Sequence, residues 1–117
     1  MTGLQIAETI YNAADDKKAK DILVFDMDGV ADATDYYIVC SANTDTQVRA
    51  IADNIDDELS KQGLFAKAKE GYSEGSWVLM DYGYCVVHIF KETEREYYNL
   101  EKLWARAGVV DFLGGKE

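Results

Sequence analysis

At 117 residues, 48% hydrophobic and 29% charged, the chain can form one domain with a real core and is too short for two. Acidic residues outnumber basic ones 22 to 12, a formal net charge of -10, which disfavours nucleic acid and anionic lipid and favours a basic protein as partner. The two cysteines, Cys40 and Cys85, sit in separate apolar runs, and no stretch has the length of a membrane span or the pattern of a signal peptide. These features predict buried thiols and a cytoplasmic protein.

Thr2 is placed to cap a first helix whose apolar residues Ile6, Ile10 and Ala13 share a face, fading through Asp15-Asp16-Lys17-Lys18. A strand over Asp21 to Phe25, a polar link containing Gly29 and a second strand over Tyr36 to Ser41 follow, joined in a hairpin-like, antiparallel way. Thr44 and Gln47 have capping-box spacing. The helix they open carries Val48, Ile51, Ala52, Ile55 and Leu59 inward, leaves Asp53, Asp56, Asp57 and Lys61 to solvent, and stops at Gly63. A short strand is predicted from Phe65 to Lys69, ended by Glu70-Gly71.

Ser76 to Phe90, SWVLMDYGYCVVHIF, reads as a hairpin around a Tyr82-Gly83 turn, pairing Asp81 with Tyr84, Leu79 with Val86 and Trp77 with His88. Alternation gives one wholly apolar face of Val78, Met80, Cys85, Val87 and Ile89, the pattern of a core. The other face, Trp77, Leu79, Asp81, Tyr84, Val86, His88 and Phe90, mixes large aromatics with an acid and an imidazole, a composition suited to a buried contact with another chain. Trp77 is expected to await a partner rather than to fill the interior. The competing reading is a sheet covered on both faces by the chain's own helices.

A last helix is predicted over Thr93 to Ala107, capped by Thr93, with Tyr97, Leu100, Trp104 and Ala107 as its stripe and Gly108 as its end. Val109 to Leu113 is expected to tuck back and residues 114–117 to fray, leaving residues 1–113 as a single domain. The order is α-β-β-α-β-β-β-α. It predicts an α+β fold with a mixed five-stranded sheet.

Ile22 to Val30, ILVFDMDGV, resembles the first signature of the haloacid-dehalogenase phosphatases, in which Asp26 and Asp28 would be nucleophile and acid-base, and Val39-Cys40-Ser41 resembles their second element. The long insertion and the later acidic motif of that family have no counterpart, so a polar turn after a strand is the preferred reading. His88 is the one histidine, and the pleat turns it away from Cys85, against a Cys-His pair. One histidine and two separated cysteines are too few for zinc, and Glu70, Glu74 and Asp81 read as solvent-facing acids. No catalytic, cofactor or metal residue is therefore assigned.

Several pieces, in order over nearly the whole chain, carry a more specific likeness. They are Thr34-Asp35-Tyr36-Tyr37, Gln47-Val48-x-Ala50-Ile51-Ala52, Glu70-Gly71, Gly75 to Gly83 with Val87-His88-Ile89-Phe90, and Arg95-x-x-Tyr98-x-Leu100-Glu101-x-Leu103-Trp104. On these the chain resembles the iojap-like family of ribosomal silencing factors. Ala42 and Thr44 depart from the Gly and Ser usual before the second helix, and Asp28-Gly29 is not a family hallmark.

The resemblance implies a nucleotidyltransferase-like fold without the catalytic acids. It also implies binding to the large ribosomal subunit through a basic ribosomal protein at the subunit interface, which blocks small-subunit joining and lowers translation under nutrient starvation. The expected mechanism is steric and non-enzymatic. Trp77, Leu79, Asp81, Tyr82, Tyr84, Val86, His88 and Phe90 are the expected contact residues, with no cofactor, no membrane contact and no direct sequence-specific contact with nucleic acid. An exposed aromatic face also predicts self-association. The rival class is a magnesium-dependent phosphoryl- or nucleotidyl-transfer enzyme using Asp26, Asp28 and Asp35, recognisable if those acids converge in a pocket.

Overall fold

The structure is a computed structural model that describes residues 1–28 and 34–112; Gly29 and the tail expected to fray at 114–117 lie outside the described residues. Thr2 caps α1 (Gly3–Asp16) with a full capping box. Its hydroxyl accepts the Gln5 N–H at 3.1 Å, and the Gln5 side chain accepts the Thr2 N–H at 2.8 Å. The chain then forms β1 (Lys20–Asp26), β2 (Tyr36–Ala42) and α2 (Asp45–Ser60). At the start of α2 the Thr44 hydroxyl accepts the Gln47 N–H as expected, at 3.1 Å. The Gln47 side chain, however, does not close the box. It reaches the Asn43 N–H at 3.4 Å and donates to the Lys17 and Lys18 carbonyls, both at 3.3 Å, so that it fastens the end of α1 to the beginning of α2.

β3 (Ala68–Glu70), β4 (Trp77–Asp81) and β5 (Cys85–Lys91) follow, then α3 (Glu92–Tyr98), α4 (Leu100–Leu103) and β6 (Gly108–Val109). The sheet is mixed, in the order β3-β4-β5-β2-β1-β6. β2 runs parallel to β5 and every other pair is antiparallel, including the expected β1–β2 pair. Among the described residues six strands stand where five were expected. The extra one is the two-residue β6, pairing with Phe25 and Asp26 as the tail folds back, and the Val110 N–H then donates to the Val24 carbonyl at 2.8 Å.

Three expected boundaries move. β3 begins at Ala68 rather than Phe65, because pairing with β4 starts only where the Lys67 N–H meets the Asp81 carbonyl at 2.7 Å; Phe65 is left 70% exposed. In the hairpin Trp77 opposes Phe90, Leu79 opposes His88 and Asp81 opposes Val86, so the turn residues are Gly83-Tyr84 and not Tyr82-Gly83. The Asp81 carboxylate accepts the Gly83 N–H at 2.8 Å, and Gly83, at φ +88°, supplies the positive φ of the first turn position. Finally, the single helix expected from Thr93 is two. Lys91 occupies the cap position of α3, the Thr93 hydroxyl turns to Glu94, and Asn99 at φ 45° breaks the run before α4.

α1 and α2 pack on the Val78/Val87 face, where Ile6, Ile10, Val48, Ile51, Ile55 and Leu59 meet Ile38, Cys40, Val78, Met80, Cys85, Val87 and Ile89, all buried. The reverse face is not left bare. Phe25, Met27, Val39 and Phe90 form a second cluster beneath Leu100, Trp104 and Ala107. Arg95 anchors this cover. Its buried guanidinium donates to the Ser41 hydroxyl at 3.1 Å and the Lys20 carbonyl at 3.3 Å, and pairs with Glu101 at 3.3 Å.

Candidate partner-binding face

Sheet register sets out the reverse face residue by residue. Ala68 and Glu70 of β3 oppose Asp81 and Leu79 of β4. Leu79 and Asp81 oppose His88 and Val86 of β5, which oppose Val39 and Tyr37 of β2. Trp104 stacks on Tyr37 at 4.3 Å and meets Phe25 edge-on at 5.5 Å, while Tyr98 lies 4.6 Å from Trp77. The C-terminal helices thus close the face over β1, β2 and part of β5. The β3–β4 side stays open.

The expected contact residues divide accordingly. Trp77, Leu79, Asp81 and Val86 are half-buried, and Tyr84, in the turn, is 57% exposed. His88 and Phe90 lie beneath them, His88 at 5% exposure and Phe90 fully buried against Trp77 at 4.9 Å. Tyr82 points through the opposite face, buried, with its hydroxyl donating to Asp56 at 3.0 Å. The expectation that the whole Trp77/His88 face is free is therefore corrected: part of it is covered from within the chain.

The Trp77 indole N–H donates to His88 Nδ1 at 3.0 Å, so the imidazole is neutral with its proton on Nε2. Burial holds its pKa down at about 4. Because the folded value lies below the unfolded one, the unfolded chain binds the proton first, and stability falls as pH drops from about 6.5 towards 4. Between pH 7 and pH 5 this one group is expected to remove about 2 kcal/mol of stability. Urea unfolding at the two pH values checks it, and a His88→Gln chain should lose less on acidification than the parent.

Asp26, Asp28 and Asp35 do come together, lining a cavity of about 370 Å³ with Thr2, Gly3, Leu4 and Tyr36. Asp26 accepts the Asp28 N–H at 3.0 Å, the turn that the sequence suggested. Among the described residues no three His, Cys, Asp or Glu side chains are placed to hold a metal ion. On the open side, Glu70 and Gly71 form a cavity of about 220 Å³ with Trp77 and Leu79. Neither Glu70 nor Gly71 was among the expected contacts. Alternation along β3 would have placed Glu70 beside Leu79, had the pairing of β3 with β4 been assigned.

The geometry defines an α+β protein with a half-open aromatic sheet face, and the comparisons with known proteins place it. The family described as "Ribosomal silencing factor during starvation" matches residues 2–116. The chain is 50% identical to the ribosomal silencing factor RsfS of Bacillus subtilis over 99 residues, 85% of this chain and 84% of the relative. A crystal structure of a Chromobacterium violaceum protein superposes with a TM-score of 0.87 at 32% identity, covering 90% of this chain and 88% of that one. Another, from Bacillus halodurans, gives 0.83 at 39% identity, covering 93% and 99%. The chain belongs to the ribosomal silencing factor family. The relatives' names describe silencing of ribosomes and indicate no catalytic activity, and among the described residues no helix is long and apolar enough to cross a membrane.

Proposed function

We propose that this chain binds the large ribosomal subunit through a basic ribosomal protein at the subunit interface and sterically blocks small-subunit joining, repressing translation when nutrients are scarce. Family membership supports the ribosomal role, and one observation supports the surface: the side of the sheet left uncovered by α4 presents Trp77, Leu79, Asp81 and Val86 together. Tyr84 extends that contact at the turn, while His88 and Phe90 hold Trp77 in place from below. Tyr82 contributes by fixing the turn from the opposite face. With a net charge of -10, the chain is drawn to a basic surface at long range, and the apolar patch then makes the short-range contact. In the free chain the same patch supports pairing of two copies.

Co-sedimentation of the purified chain with isolated large and small subunits tests the reading. The expected result is pelleting with large subunits only, together with reduced joining when small subunits are added afterwards. Binding to neither subunit overturns it.

A further inference from the structure

The cavity among Glu70, Gly71, Trp77 and Leu79 lies on the open side of the sheet, and its volume of about 220 Å³ suits one long side chain. Sites for small-molecule ligands are larger, roughly 300–1,000 Å³. It is lined by Glu70, Gly71, Trp77 and Leu79 and its surface is almost wholly apolar, with Glu70 the one charged residue of the four. Gly71, in its wall, leaves no room for a side chain against the neighbouring strand. A Cβ there would lie 2.0 Å from the Trp77 carbonyl oxygen, and the backbone φ of +81° is one that side-chain-bearing residues rarely adopt.

Glu70 is exposed, and among the described residues no side chain hydrogen-bonds or ion-pairs with it. The neighbouring Lys69 is turned by the pleat to the other face, where it pairs with Asp56 at 3.2 Å and lies over the Tyr72 ring. An aromatic and an aliphatic residue thus line an apolar cavity beside an exposed glutamate that has no ion-pair partner among the described residues, on a chain of net charge -10.

We propose that this cavity receives one arginine or lysine side chain of the basic partner, its aliphatic stem against Leu79, its cationic head over Trp77 and at the Glu70 carboxylate. The inference rests on the proposed binding to a basic protein of the large subunit and names a contact within it. Glu70 is then a contact residue, and not one more contributor to the acidic field. An apolar occupant would have no use for the carboxylate, and a phosphate of the ribosomal RNA would be repelled by it.

The test compares affinities of the full chain for isolated large subunits at one fixed salt concentration. The variants are Glu70→Gln, Glu70→Lys and Glu74→Gln; Glu74 is an exposed acid in the link that follows β3 and does not line the cavity. Glu70→Gln is expected to weaken binding roughly tenfold and Glu70→Lys further, while Glu74→Gln, which removes the same unit of long-range charge, stays within about twofold of the parent. Thermal melts of the three should match the parent, since both glutamates are exposed. Equal losses for Glu70→Gln and Glu74→Gln overturn the cavity contact and leave a general field effect. Unchanged or tighter binding by Glu70→Gln overturns it in favour of an apolar or phosphate occupant. A parent chain that fails to bind large subunits at all removes the underlying reading as well, which separates the two failures.

Discussion

Val87→Asp is expected to abolish cooperative folding. Val87 is fully buried, opposes Met80 across the hairpin and lies in the cluster that α1 and α2 cover. A carboxylate there has no partner, and the cost of several kcal/mol is comparable with the whole stability of a domain this size. Circular dichroism on heating should show no sigmoidal transition. Val86→Asp, one residue earlier and half-buried on the reverse face, should keep one. Loss of the transition in both would mean that the two faces are equally closed.

Trp77→Ala is expected to damage binding and stability together. The ring is half-buried, stacked 4.9 Å from Phe90 and lying 4.6 Å from Tyr98, and its N–H satisfies His88. Truncation removes those contacts and leaves a buried imidazole nitrogen without its donor, a combined cost of about 3 kcal/mol. Affinity for large subunits should fall by roughly 30-fold, about 2 kcal/mol, as for an aromatic anchor near the centre of an interface. Trp77→Phe separates the contributions, since it keeps a ring against Phe90 and loses the N–H. Melts and co-sedimentation on both variants decide the matter. A Trp77→Ala chain with parental stability would show that the ring makes no structural contribution, and one with parental affinity would move the interface elsewhere.

That coupling differs from what the sequence suggested, and the reason is physical. Side-chain alternation sorted the hairpin faces correctly because sliding both strands by one residue, as the Gly83-Tyr84 turn requires, changes every partner and leaves each residue on its face. Nothing in the alternation says what lies above the second face. The stripe Leu100, Trp104 and Ala107 was legible as apolar, and it does pack on Phe25 and Val39; its destination was not legible, because an apolar stripe fits any apolar surface. Tyr97, counted in that stripe, is 82% exposed, since the left-handed Asn99 breaks the helical phase between it and Leu100; Tyr98, itself 46% exposed, is the ring that lies against Trp77. The two-residue β6 is too short to leave a pattern at all. The convergence of Asp26, Asp28 and Asp35 on one cavity is a matter of loop geometry, which spacing alone does not report.

The burial of both thiols has a practical outcome. Cys40 and Cys85 are fully enclosed on the adjacent parallel strands β2 and β5, and burial pushes each pKa up to about 12, leaving almost no thiolate near neutrality. The native fold therefore shields both sulfurs from alkylating and oxidising reagents. A single cysteine introduced on the surface, at Ser73 for instance, can carry a fluorophore or spin label without first removing the natural pair. Conversely, modification of Cys40 or Cys85 reports that the middle of the sheet has opened, which makes the unaltered chain its own chemical clock for unfolding.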